Sequence, residues 1–177
     1  MAKSATPDAY GVLTEPATLK IERILPGPIE RIWAYLTESD MRKKWFASGE
    51  MQLEPGASFE LVWRNDDLSD THGQRPPGFP EEHRKTCRIV EVDAPHKLVF
   101  IFGEHGEVTF SLQPMGKEVL LTLIHRRIPD RSTTLGVSAG WHAHLDVLVA
   151  RASGTKPGPF WDNWSRFKKE YEQRFPA

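Results

Sequence analysis

The stretch Gly140-Trp141-His142-Ala143-His144-Leu145-Asp146-Val147-Leu148 decides the fold of this chain when read with its counterpart, Gly27-Pro28-Ile29-Glu30-Arg31-Ile32-Trp33-Ala34-Tyr35-Leu36-Thr37. Both are aromatic helix signatures, and the residues between them read mainly as strands. In the later stretch, Val137, Trp141, Leu145, Leu148 and Ala152 share one face of a helix predicted over roughly 135–152. In the earlier one, Pro28 takes a first-turn position, where a missing N–H is harmless, and Ile29, Ile32, Trp33 and Leu36 form one apolar stripe. Thr37-Glu38-Ser39-Asp40 fits a capping box, so a second short helix is expected to start there and run toward Trp45. A curved sheet closed by a long late helix makes a container, which points toward binding something apolar.

Outward from those helices the hydrophobic period changes to two. Leu19 and Ile21 alternate with Lys20 and Glu22 in a half-buried strand that ends at Pro26. Phe59, Leu61 and Trp63 share a face, as do Leu98, Phe100 and Phe102; Val108, Phe110 and Leu112; and Val119, Leu121, Leu123 and His125. Pro95-His96, Phe102-Gly103-Glu104-His105-Gly106 and Pro114-Met115-Gly116 are turns too short for crossovers, so these strands form an antiparallel meander. Residues 64–85 hold Asp66, Asp67, Asp70, Gly73, Pro76, Pro77, Gly78 and Pro80 with almost nothing apolar, and are expected to be a long mobile lid. Residues 1–15 read as a flexible arm. After a linker at 153–159, Phe160, Trp164, Phe167, Tyr171 and Phe175 make an aromatic stripe on a final helix, too wide to face water.

Composition narrows the class. A chain of 177 residues is one domain by default, and 39% hydrophobic with 27% charged residues is ordinary for a globular protein. A net charge of −1 makes no electrostatic case for nucleic acid or an acidic membrane. No apolar run approaches the ~18 residues of a membrane helix, and the polar N-terminal residues lack a signal peptide's apolar segment. Cys87 is the sole cysteine, which rules out an intrachain disulfide and fits a reducing, cytoplasmic setting.

The order of elements resembles the helix-grip fold of the START and birch-pollen-allergen (SRPBCC) superfamily. Within it, the chain resembles the bacterial branch named after the activator of the 90-kDa heat-shock protein ATPase. The matching pieces are Pro28-Ile29-Glu30-Arg31-Ile32-Trp33, Leu36-Thr37-Glu38-Ser39-Asp40, Lys44-Trp45-Phe46, the run from Val90 to Phe100, and Gly140 to Asp146. The resemblance implies an α+β fold in which a curved antiparallel sheet wraps a long C-terminal helix, here over residues 16–152, with an additional helix within 153–177. It also implies a hydrophobic cavity between sheet and late helix.

Within that cavity the expected ligand-binding residues are Trp45, Phe59, Leu61, Trp63, Phe100, Phe102, Phe110, Leu112, Trp141 and Leu145, with His125 and His142 as its few polar groups. Apolar walls with sparse polar groups are usual for small-molecule sites. The leading expectation is noncovalent binding of a small apolar or aromatic molecule, without a cofactor. One alternative is a cavity enzyme of cyclase, aromatase or hydrolase type, for which His125 and His142 are the acid–base candidates. The other is a protein-interaction module, a chaperone regulator or transcription-factor partner, with the terminal helix as a homodimer or partner contact. Metal binding is not expected. His142 and His144 sit at i and i+2, about 200° apart on a helix, so they do not share a face.

Gly136-Val137-Ser138-Ala139-Gly140 matches the nucleophile-elbow pattern, but Arg127 to Thr134 before it reads as a loop rather than a strand, and no histidine follows His144. Ser138 is therefore expected not to be a nucleophile. A fluorophosphonate probe should leave Ser138 unlabelled, as read by peptide mass spectrometry, and a labelled Ser138 would contradict this.

Overall fold

The computed structural model describes residues 8–176. Strand β2 (Thr18–Pro26) buries every second residue, Leu19, Ile21, Arg23 and Leu25, as its alternating sequence dictates. It pairs with β1 (Val12–Glu15) on one side and β7 (Glu118–Arg126) on the other. From β2 the chain crosses to the far edge through α1 (Ile29–Thr37) and the single-turn α2 (Ser39–Arg42). It returns as the meander β3 (Ser58–Trp63), β4 (His83–Asp93), β5 (Lys97–Ile101), β6 (Glu107–Met115) and β7. The seven-stranded sheet has the order β1-β2-β7-β6-β5-β4-β3 and is antiparallel throughout. The tight β5–β6 turn depends on Gly106, at φ 100°, where a Cβ would stand 2.0 Å from the Arg126 carbonyl oxygen.

Helix α3 (Arg131–Ser153) lies against the sheet, and α4 (Phe160–Arg174) packs on α3. Being covered by sheet and α4, α3 buries residues on most of its circumference. It starts four residues earlier than the apolar stripe predicts, because the Asp130 carboxylate accepts the Thr133 N–H at 2.7 Å and caps it. Gly154, in the left-handed region, ends it. The arrangement is the α+β helix grip.

Several local expectations are corrected. The arm is shorter than predicted, since Val12–Glu15 form an edge strand; its first seven residues lie outside the described ones. The capping box does not form. Thr37 Oγ1 donates instead to the Trp33 carbonyl, Ser39 Oγ accepts from the Gly49 N–H, and the helix stops after one turn. The long loop is shorter, because β4 already begins at His83. It is also tethered: Leu68 is buried, and Asp66 accepts from Trp161 Nε1 and pairs with Arg75, both at 2.7 Å. Asp162 of α4 accepts the Gln74 N–H at 3.1 Å.

The aromatic stripe of α4 is used within the chain. Phe160, Trp164, Phe167 and Tyr171 are buried, Phe167 stacking on His142 of α3 with ring centroids 3.7 Å apart. The Tyr171 hydroxyl accepts the Gly11 N–H at 2.8 Å and donates to His142 Nδ1 at 2.9 Å, tying α4 to the N-terminal segment and α3 together. Burying each such ring is worth about 1.5–3 kcal/mol. Ending the chain at Pro157 should therefore abolish cooperative unfolding or cause aggregation, read by thermal denaturation and size-exclusion chromatography. Tyr171→Phe keeps the ring and should lower stability by about 1–3 kcal/mol through the unpaired Gly11 N–H. A truncated monomer with unchanged Tm would contradict the packing argument.

Candidate functional site

Much of the space expected between sheet and α3 is filled. The connector from α2 to β3 enters it, shaped by Arg42, whose buried guanidinium donates to the carbonyls of Leu36, Thr37, Ala47 and Gly49. Burial lowers the Arg42 pKa to about 10. Trp45 Nε1 donates to the Tyr35 carbonyl at 2.8 Å, Phe46 stacks on Trp45 at 5.2 Å, and on its other side on Trp141 at 4.9 Å. Below them Phe59 meets Phe100 at 5.5 Å, Phe100 meets Phe110 at 5.6 Å, and Phe110 meets Trp141 at 5.9 Å. With Leu61, Leu112 and Leu145 buried among the same cluster, this half of the grip is solid core. Trp45, Phe59, Leu61, Phe100, Phe110, Leu112 and Leu145, expected to wall a cavity, instead interlock.

The open half is a cleft of about 370 Å³ at one end of the grip, inside the size range of small-molecule sites, roughly 300–1,000 Å³. Trp63, Phe102 and Trp141, all expected in the site, line it. Phe46, Phe79, Val137 and Trp161 complete the apolar wall, and Gly78–Glu81 cross its rim. Asn65, His83, Lys85, His105 and His144 bring polar atoms to it. Two glycines one helical turn apart, Gly136 and Gly140, form the α3 side. A Cβ on Gly136 would meet nothing within 4 Å, and one on Gly140 only Trp164 Nε1 at 3.9 Å. Glycine inside a helix is unfavourable by about 1 kcal/mol relative to alanine, so close packing does not account for the pair. The matched pattern Gly136-Val137-Ser138-Ala139-Gly140 is thus the wall of a cleft, and Ser138 is fully buried within α3.

Sequence reading missed His83 and Lys85 because they fall inside the stretch 64–85 expected to be a lid, and His105 because it falls in a turn between strands. Counting by twos backward from the buried Ile89 and Cys87 puts Lys85 and His83 on the inner face, a signal present in the sequence. Phe79 and Trp161 reach the cleft from distant segments and carry no local signature.

The buried histidines separate as their spacing requires. His142 faces α4 and lies outside the cleft, a correction to its expected place, while His144 lines the cleft and donates Nδ1–H to the Trp45 carbonyl at 2.9 Å. His125 sits directly behind the wall: Trp141 Nε1 donates to its Nδ1 at 3.0 Å, and its Nε2–H donates to the His105 carbonyl. Both ring nitrogens are committed, so His125 is neutral and a poor acid–base candidate. Burial lowers the pKa of His125 and His144 to about 4 and that of His142 to about 3, from an ordinary 6.5.

A folded-state pKa below the unfolded one means the unfolded chain takes up protons first. The stabilisation from neutral histidines is complete above pH 6.5 and is lost as pH falls toward 4. Each histidine contributes a slope of roughly 1.4 kcal/mol per pH unit inside that window. Urea midpoints should be flat from pH 8 to 7 and fall steeply from pH 6 to 4. Equal midpoints at pH 7 and 5 would contradict neutral burial.

Residues 26–153 match the sequence profile of the family described as Activator of Hsp90 ATPase homolog 1-like protein. Among solved structures, the Bordetella parapertussis protein encoded by gene BPP1335 is 34% identical with a TM-score of 0.80, covering 100% of this chain and 96% of that one. CalU16 from Micromonospora echinospora is 21% identical in its crystal structure, with a TM-score of 0.65 over 94% of this chain and 92% of that one. DynU16, from the dynemicin biosynthetic locus, is 18% identical with a TM-score of 0.62, covering 80% of this chain and 49% of that one. The last two likenesses show the fold alone. No curated protein matches the chain. Among the described residues no helix is long and apolar enough to cross a membrane. With that profile running from the end of β2 through α3 of the helix grip, the chain belongs to the Activator of Hsp90 ATPase homolog 1-like family.

Proposed function

We propose that the protein binds a small apolar or aromatic molecule, noncovalently, in the cleft between Trp63, Trp141 and Trp161. The observation that carries this reading is the glycine pair: Gly136 and Gly140 hold open a space that ordinary helix formers would fill, against walls of indole and phenyl rings. Burial of the ligand supplies most of the affinity, at about 25 cal/mol per Å² of apolar surface. After association costs, a Kd in the micromolar range, about −8 kcal/mol, is reasonable. His144 Nε2, left as an acceptor because Nδ1 donates to Trp45, offers one orienting hydrogen bond.

The enzyme alternative loses support because His125 is hydrogen-bonded at both nitrogens and His142 lies on the far side of α3. Exposed aromatics on α4 would favour the interaction-module alternative, and Phe160, Trp164, Phe167 and Tyr171 of that stripe are buried within the chain.

Gly136→Leu tests the reading, since it fills the cleft while improving helix propensity by up to about 1 kcal/mol. N-phenyl-1-naphthylamine, a neutral fluorescent aromatic, should bind the native protein and lose affinity at least about tenfold in the variant, at an equal or higher Tm. Equal binding to both proteins would place the probe elsewhere and contradict the cleft. Mass spectrometry of small molecules retained by the native protein would then identify the occupant.

A further inference from the structure

The cleft holds a cation where a sheet interior ordinarily offers an apolar side chain. Lys85 occupies an inward position on β4, opposite Leu61 of β3 and two residues from the buried Cys87. Inward-pointing lysines often protect exposed sheet edges; here β3 pairs with β4 from His83 to Arg88 and β5 only from Arg88 onward, and beside Lys85 the unpaired side of the strand faces Gly103 of the β5–β6 turn rather than open solvent. The Lys85 stem lies over the β5–β6 turn at Gly103, where an added Cβ would stand 3.0 Å from Lys85 Cγ and press the stem aside. That contact directs Nζ along the cleft wall, 4.9 Å from the Phe102 ring centroid and against His105 Nδ1.

The ammonium has no ion-pair partner among the described residues. Glu81 of the cleft rim pairs with Arg64 at 3.5 Å, and Glu104 acts on Lys85 only at longer range. His83 flanks it at the mouth, its ring 5.4 Å from that of Trp63. Burial together with the Lys85 charge lowers the pKa of His83 and of His105, so both are neutral beside the cation and their rings can turn an N–H toward an acceptor. A half-buried, unpaired ammonium is costly unless something of opposite charge joins it.

We infer that the occupant of the cleft is an aromatic or apolar molecule bearing one anionic group, a carboxylate, sulfonate or phenolate, that docks on Lys85 with His105 and His83 beside it. The inference rests on the proposed cleft binding and adds the charge of the ligand. The body of such a molecule lies between Trp141 and Trp161, and its anion reaches the one wall that carries the cation. A charge-assisted contact with the anion offsets the cost of burying the ammonium.

Two probes with the same body separate the parts: 8-anilinonaphthalene-1-sulfonate and N-phenyl-1-naphthylamine, which lacks the sulfonate. Fluorescence titration of the full chain should show the anion binding about tenfold more tightly. Lys85→Met should erase that preference, bringing the affinities of the two probes together, and Lys85→Arg should retain it. Persistence of the preference in Lys85→Met, or an equal loss of both probes, would overturn the inference. If the native protein binds the neutral probe and shows no preference for the anion, the cleft reading stands and this inference falls. If it binds neither, both fall.

Discussion

The hydrogen bond from Trp141 Nε1 to His125 Nδ1 is the interaction on which the rest of this structure depends. It joins the long helix to the sheet in a dry interior, where an indole N–H and an imidazole must each find a partner or destabilise the fold. Because Nδ1 accepts, Nε2 must carry the proton and donate to the His105 carbonyl, which ties down the β5–β6 turn. One tautomer therefore sets the height of α3 over the sheet, the position of the turn that carries His105, and the rear wall of the cleft.

Around that bond the interior divides into a filled and an open half, and the division is a matter of side-chain volume. On one side the connector after α2 delivers Trp45 and Phe46, and their rings meet Phe110 and Trp141 at ordinary aromatic distances. On the other, α3 presents Gly136 and Gly140, which leave space before the rings of Trp63 and Phe102, while Phe102 still meets Trp141 of α3 at 5.9 Å. Buried Arg42 stands behind the filled half, its four carbonyl acceptors holding the connector in a shape that no regular element provides.

The terminal helix gives α3 its second face. His142 and Asp146 point away from the cleft, toward Phe167, Tyr171 and Arg23, and the Arg23–Asp146 contact at 3.0 Å ties β2 to α3. Trp161, on the first turn of α4, closes the cleft mouth together with Phe79 of the tethered loop. The same helix thus stabilises the grip and finishes its site.

The residue pattern alone specifies the fold and most of its elements, the edge strand Val12–Glu15 and the start of β4 being the exceptions. Period-two runs such as Phe59-Leu61-Trp63 and the helical stripes of 137–152 and 160–175 encode burial locally, since each side chain's face follows from its own backbone period. It also separated His142 from His144, because two positions on one helix hold a fixed angle whatever packs around them. The start of β4 is carried only by the alternation of His83, Lys85, Cys87 and Ile89, which the polar identity of the first two masks. Which aromatic residues fill the grip and which wall a cleft follows from packing in three dimensions. Phe110 and Phe102 carry the same chemistry at the same strand period, and their fates diverge because Trp45 and Phe46 arrive over one and two glycines of α3 leave space near the other. That outcome depends on the summed volume of segments far apart in the chain, which no local pattern records.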